Sequence, residues 1–123
     1  MSGQEARERA IGLLYSADAG DLSQLESSEH EGRGFRLAHE TWTHVEEIDA
    51  SLDAQATDWR VARMPAVDRA ILRLAVYELR YTDTPVGVVL SEAVELANRY
   101  STAQSGRFSN GVLAKIAEEA RAE

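Results

Sequence analysis

The sequence predicts an all-α protein, with two small helical subdomains packed around one central helix. Three observations carry that expectation. Apolar residues recur three and four apart in each apolar segment, the spacing of one helix face. No strand-length stretch alternates apolar with polar residues. The stretch Val67–Leu79 holds no Gly or Pro, is rich in Ala, Leu and Arg, and is apolar over most of its girth, as a helix packed on several sides must be.

The first element is a helix over residues 4–18. Ala6, Ala10, Leu13, Leu14 and Ala17 share a face that Ile11 and Tyr15 widen. Arg7 and Arg9 precede the apolar part, and Gly20 follows as a C-cap. Residues 20–34 are acidic and Ser/Gly-rich and read as a linker, with a helical turn at Leu22–Leu25. Residues 35–58 carry a second helical series, broken into two near Thr43–Glu47, in which Trp42 and Trp59 read as core residues. His39 and His44 lie five apart, about 140° round a helix, so they do not share the face that the i, i+4 zinc motif requires.

Pro65 opens the central helix, where a first-turn proline forfeits no helical bond. Val67, Ala70, Ile71 and Leu74 fall on one arc; Leu72, Ala75 and Leu79 fall on another. Arg69, Arg73, Tyr77 and Arg80 form a narrow polar stripe, read as a basic edge left in solvent. Glu78 falls inside the apolar arc, so its carboxylate needs a partner. A structural tether, to a helix N-terminus or to a side chain such as Asn110, is the leading reading; a general acid or base is the other.

Residues 87–100 form the next helix, with Val89, Leu90, Ala93, Val94, Leu96, Ala97 and Tyr100 as its core face and Glu92, Glu95 and Arg99 as its wet face. Glu95 and Arg99 stand in the favourable i, i+4 order. Residues 101–110 read as a polar connection. The last helix follows to about residue 120, burying Phe108, Val112, Leu113, Ile116 and Ala120; Gly111 suggests a close helix–helix approach. Residues 118–123 are expected to fray. The boundary between the two subdomains falls at about 58/59.

Composition narrows the function classes. A chain of 123 residues fits one domain. It has no Cys, which excludes disulfides and thiolate metal sites and suits a reducing cytoplasm. No apolar run approaches a membrane span, and no signal sequence stands at the N-terminus. The net charge of −8 opposes general nucleic-acid affinity. Its distribution is uneven: residues 21–58 hold ten Asp/Glu and two Arg, whereas residues 59–81 hold five Arg against Asp68 and Glu78. A basic zone of that kind can face phosphate. No Gly-rich phosphate loop, nucleophile–base set or metal-ligand cluster stands out, so the residues alone point to a helical binding module without cofactor.

Three strings carry a resemblance: Ala6-Arg-Glu-Arg-Ala-Ile-Gly-Leu-Leu-Tyr15; Pro65-Ala-Val-Asp-Arg-Ala-Ile-Leu-Arg-Leu-Ala-Val-Tyr-Glu-Leu79; and Ser91-Glu-Ala-Val-Glu-Leu-Ala97 continuing to Ser105-Gly-Arg-Phe-Ser-Asn-Gly-Val-Leu113. In order and spacing they resemble the NusB family of bacterial transcription antitermination factors. The resemblance covers helix 1 and nearly all of residues 59–116; residues 20–58 match only in helical character. It implies a cytoplasmic, non-enzymatic, NusB-like helical domain. The implied partners are ribosomal protein S10 (NusE), boxA-type single-stranded RNA and the RNA polymerase antitermination complex. The chain would act as a monomer or homodimer, with no membrane. The family's RNA contacts map to Arg7, Arg9, Arg107 and Phe108, and its protein-partner contacts to Tyr15, Asp68 and Arg69. Phe108 fits a core position equally well.

The sequence departs from the family pattern where Gly3-Gln4-Glu5 replaces a basic cluster and Gln104 replaces an acidic residue. Fewer cations weaken the phosphate term. The alternative reading is therefore a NusB-like protein-binding scaffold, or a paralogue with weakened or lost RNA binding. A third reading, a fragment of a ribosomal RNA cytosine methyltransferase that carries such a domain, is disfavoured: the chain ends at Glu123 without a Rossmann glycine motif or catalytic Cys.

Overall fold

Helix α5, Ala66–Tyr81, is the element on which the others converge. The computed structural model describes residues 3–26, 32–56 and 59–121. Among the described residues there are also α1 Gly3–Asp18, α2 Ser23–Glu26, α3 Arg33–Thr43, α4 Val45–Gln55, a 3-10 turn Val61–Arg63, α6 Val86–Tyr100 and α7 Ala103–Ala120, and no strand. Part of the predicted linker (27–31), the end of the second helical series (57–58) and the last two residues of the tail lie outside the described residues.

The reason for the convergence is the near-continuous apolar girth of α5. Ile71, Leu72, Leu74, Val76 and Leu79 are almost wholly buried, against α1, α3, α4, α6 and α7. Each such side chain stabilises the fold by roughly 1.5–3 kcal/mol relative to exposure. Pro65 is one position earlier than expected: it is the cap, and its carbonyl accepts the Arg69 N–H at 2.9 Å.

The polar stripe of α5 is not a solvent edge. Arg73 is buried and Arg69 nearly so, and both are spent inside the protein. Arg73 makes a two-pronged pair with Asp49 of α4 at 2.9 and 2.7 Å and reaches Asp18 of α1 at 3.1 Å. Arg69 donates to the other Asp18 oxygen and to the Val61 carbonyl. Burial alone would raise the Asp18 carboxyl, but the hydrogen bonds and charges of Arg69 and Arg73 outweigh it and hold it below its ordinary range. The basic zone of residues 59–81 is therefore largely neutralised by acids that the acidic segments bring to it.

Helix α1 ends as its sequence dictates. Gly20 takes φ +100°, its N–H bonds the Ala17 carbonyl at 3.0 Å, and the Asp21 N–H bonds Ser16 at 2.9 Å. That is the double closure of a Schellman motif, which favours glycine. The series over 35–58 breaks at His44, inside the predicted window, and the His44 ring stacks on Tyr81 at 4.1 Å. His39 lies instead beside Phe35. The two tryptophans pack against the core but stay half-buried at its edge: Trp42 lies under the Arg73 guanidinium, and Trp59 meets the Phe108 ring edge-on at 4.9 Å.

Helix α7 starts earlier than predicted. The polar run 101–110 is not a connection but two helical turns, because Thr102 caps them: its Oγ1 accepts the Ser105 N–H at 3.0 Å. The close-approach glycine is likewise earlier. A β-carbon on Gly106 would stand 2.4 Å from Asn98 Oδ1, whereas one on Gly111 would meet nothing within 4 Å. The end of α7 is also tied down where fraying was expected. Arg121 donates to the carbonyls of Leu79 and Glu78 at the end of α5 and of Thr82 and Thr84 just after it.

Candidate nucleic-acid and protein interface

The buried Glu78 carboxylate has a partner that spacing could not reveal. Arg7 of α1 donates from Nε at 2.9 Å and from Nη2 at 2.8 Å, so the pair is bidentate. The Glu78 hydrogen bond, aided by the charges of Glu78 and Glu92, raises the Arg7 guanidinium above its ordinary range despite burial. Arg7 is 5% exposed. It is neither solvated decoration nor a surface cation as the sequence suggested; it is half of the tether between α1 and α5. This favours the tether reading of Glu78, with Arg7 in place of Asn110. Arg9, in contrast, is exposed, and its side chain passes over Gly34 of α3.

On the far face of α1, Tyr15 is 48% exposed. It lines an open groove of about 370 Å³ with Glu8, Ile11 and Gly12 of α1, Val67 of α5 and Tyr100 of α6. Tyr100 was expected in the core, yet it too is 48% exposed. Its hydroxyl donates to Glu8, which also receives Arg99 at 3.2 Å. Glu8 and Tyr100 line this groove and were not singled out from the sequence; the helical register placed Tyr100 on the apolar arc, whereas it stands exposed at the end of α6. Arg99 also takes Glu95, as the i, i+4 order predicted.

A second cleft, of about 440 Å³, has a lining of its own; it takes Asp68 and Ser101, the chain neighbours of Val67 and Tyr100 in the groove. Trp59, Pro65 and Phe108 give it apolar walls; Ser101, Thr102, Gln104 and Ser105 give it a polar rim. Asp68 lies at its floor, 1% exposed. One carboxylate oxygen receives the Ser105 hydroxyl at 3.3 Å; the other, Oδ1, is buried with no hydrogen-bond partner. An orphaned carboxylate oxygen costs free energy until a donor reaches it. Arg69, adjacent in sequence, turns the other way into the Asp18 pair. Phe108 is half-buried, so its wall and core readings are both partly realised.

Arg107 is exposed and lines a third groove, between α6 and α7, with Ser91, Val94, Asn98 and Asn110. The near side of α6 faces Arg7 through Glu92, Ala93 and Leu96. Helix α6 thus stands between the two arginines.

Comparisons with known proteins decide the family. The NusB family model matches residues 4–118. The chain belongs to the NusB family. It is 42% identical to transcription antitermination protein NusB of Lysinibacillus sphaericus, over 97% of this chain and 99% of that one. It is 44% identical to the NusB of Leifsonia xyli, over 93% and 90%. Among solved structures it is similar to T. maritima NusB, with a TM-score of 0.82 and 29% identity over 97% of this chain and 92% of that one. It is also similar to a chain from the crystal structure of antitermination factors NusB and NusE in complex with dsRNA (TM-score 0.77, 28% identity, 94% and 96% covered). The family is one of transcription antitermination factors, and its all-helical fold is the one described above. No helix among the described residues is long and apolar enough to cross a membrane.

Proposed function

We propose that the chain is a cytoplasmic, non-catalytic antitermination factor that holds ribosomal protein S10 (NusE) and boxA-type RNA on adjoining surfaces and delivers them to the RNA polymerase antitermination complex. The observation that carries this reading is the pair of open surfaces, the Tyr15–Tyr100 groove and the Trp59–Phe108 cleft, which take chain neighbours in their linings, Val67 beside Asp68 and Tyr100 beside Ser101. Exposed tyrosines over an apolar floor suit a protein partner. Glu8 holds Tyr100 and Arg99 in place at the edge of that floor, so the rim is polar with its charge already paired. Asp68, 1% exposed, serves from beneath the cleft by accepting the Ser105 hydroxyl rather than by open contact. Arg69 then serves by fixing the start of α5 through Asp18 rather than by contact.

RNA falls to the neighbouring surface. Phe108, held by Trp59, offers its ring to a base, and Arg107, the preceding residue of α7, offers a phosphate contact. Arg9 contributes from the outer side of α1. Arg7 acts at one remove, by fixing α1 on α5. Its burial favours the second reading, a protein-binding scaffold with weakened RNA affinity, more than the sequence did, because one expected cation is spent.

Calorimetric titration of purified NusE into the chain tests the leading reading. Binding is expected, and Tyr15→Ala is expected to weaken it at least about tenfold, the scale of an interface aromatic. No heat of binding from the wild-type chain overturns the reading. NusE binding without any RNA binding by the pair selects the scaffold.

A further inference from the structure

We propose that Arg33 and Arg36, on the outer face of α3, form an RNA phosphate contact beside the first turn of α1; this rests on the RNA-binding reading above. The sequence leaves that turn without a cation of its own, since it begins Gly3-Gln4-Glu5. Arg7 Nη1 lies 3.2 Å from where a Gly3 β-carbon would be, but Arg7 is buried in its pair with Glu78, and the fold supplies a second cation from α3. Gly34 lacks a side chain where α3 crosses α1: a β-carbon there would stand 2.9 Å from the Ala6 carbonyl oxygen and 3.0 Å from Arg9 Cβ. This contact seats the start of α3 directly on the α1 turn that holds Ala6 and Arg9. Arg33, one residue earlier, reaches back across it. Its Nη1 lies 3.9 Å from where a Gly3 β-carbon would be.

Charge accounting points the same way. The chain has 13 Lys and Arg. Arg7, Arg60, Arg69, Arg73, Arg80 and Arg99 are held in ion pairs, and Arg121 is held by carbonyls. Among the described residues Arg33, Arg36, Arg63, Arg107 and Lys115 are exposed and make no ion pair; of these, Arg33 and Arg36 stand three apart at the start of one helix. Glu40 stands four residues after Arg36 without engaging it. In a protein of net charge −8, acids are abundant, so two neighbouring arginines left unpaired on one helix face are available to an outside anion. Residues three apart on a helix hold their β-carbons about 5–6 Å apart, so both guanidinium groups can address one stretch of a phosphate backbone.

The test is fluorescence anisotropy of a labelled boxA-type single-stranded RNA, titrated with the full chain plus NusE over a salt series. The variants are Arg33→Gln/Arg36→Gln, Arg107→Ala as a reference, and Glu29→Gln/Glu31→Gln, which removes the two acids just before α3 in sequence. Two lost phosphate contacts on a single strand predict a log–log salt slope shallower by about 1.4. Affinity at low salt is expected to fall about tenfold, and NusE affinity and melting temperature to stay at the wild-type value. The Glu29/Glu31 variant is expected to bind more tightly. Wild-type slope and affinity in the Arg33/Arg36 variant, alongside a weakened Arg107 variant, would overturn this inference and leave the RNA-binding reading standing. Absence of RNA binding by the wild-type chain with NusE overturns both.

Discussion

Arg7 and Glu78 sit between α1 and α5, and removing either one strands the charge of the other in a buried site. Arg7→Met or Glu78→Gln is therefore expected to cost about 3–5 kcal/mol by chemical denaturation. Replacing both by methionine is expected to recover much of that loss, because no charge is then left uncompensated. A double variant as unstable as the sum of the singles would contradict the pairing. Asp18 gives a pH signature. Its carboxyl is depressed in the folded state, so its contribution is fully present above its unfolded pKa of about 3.9. That contribution is lost as pH falls through the lower folded value. Stability measured from pH 6 down to pH 2 is expected to decline below about pH 4. Asp18→Asn, at a cost of roughly 1–3 kcal/mol at neutral pH, is expected to flatten that decline. These pairs were illegible in the sequence: Asp18 and Arg69 are 51 positions apart, and Arg7 and Glu78 are 71 apart. Glu78 announced its need for a partner; nothing local announced which one.

At the scale of the element, the two kinds of helical glycine separate cleanly. Gly34→Ala is expected to destabilise by about 1–3 kcal/mol, since backbone of α1 blocks the new methyl group and the helices must move apart. Gly111→Ala has open space and a helical backbone, and is expected to stabilise by about 0.5–1 kcal/mol. Thermal melts of the two variants should move in opposite directions. The predicted extents of α1, α5 and α6 hold to within a few residues because their apolar period is strong and Gly20, Pro65 and Pro85 punctuate it. The start of α7 was missed because Ser101–Asn110 is polar on both faces. The capping signal Thr102-x-x-Ser105 was there to be read, but its weight depends on Ser105 lying against Asp68, a contact between distant segments.

For the molecule as a whole, family and fold were legible in three strings of sequence, and the way the surface is assembled was not. The expected basic edge of α5 vanished into Asp18 and Asp49, while Tyr100 came out of the expected core into a groove with Tyr15. What remains at the surface is an open groove lined by Tyr15 and Tyr100, an aromatic cleft lined by Trp59 and Phe108, and Arg107 in a third groove between α6 and α7. On a chain of this net charge, RNA is held well only when a bound partner adds its own cations. The decisive measurement is the affinity of one boxA-type RNA for the chain alone, for NusE alone and for an equimolar mixture, at a single fixed salt concentration. Joint binding on adjoining surfaces predicts that the mixture binds at least about tenfold more tightly than the better of the two alone. A mixture no tighter than its better component would contradict it.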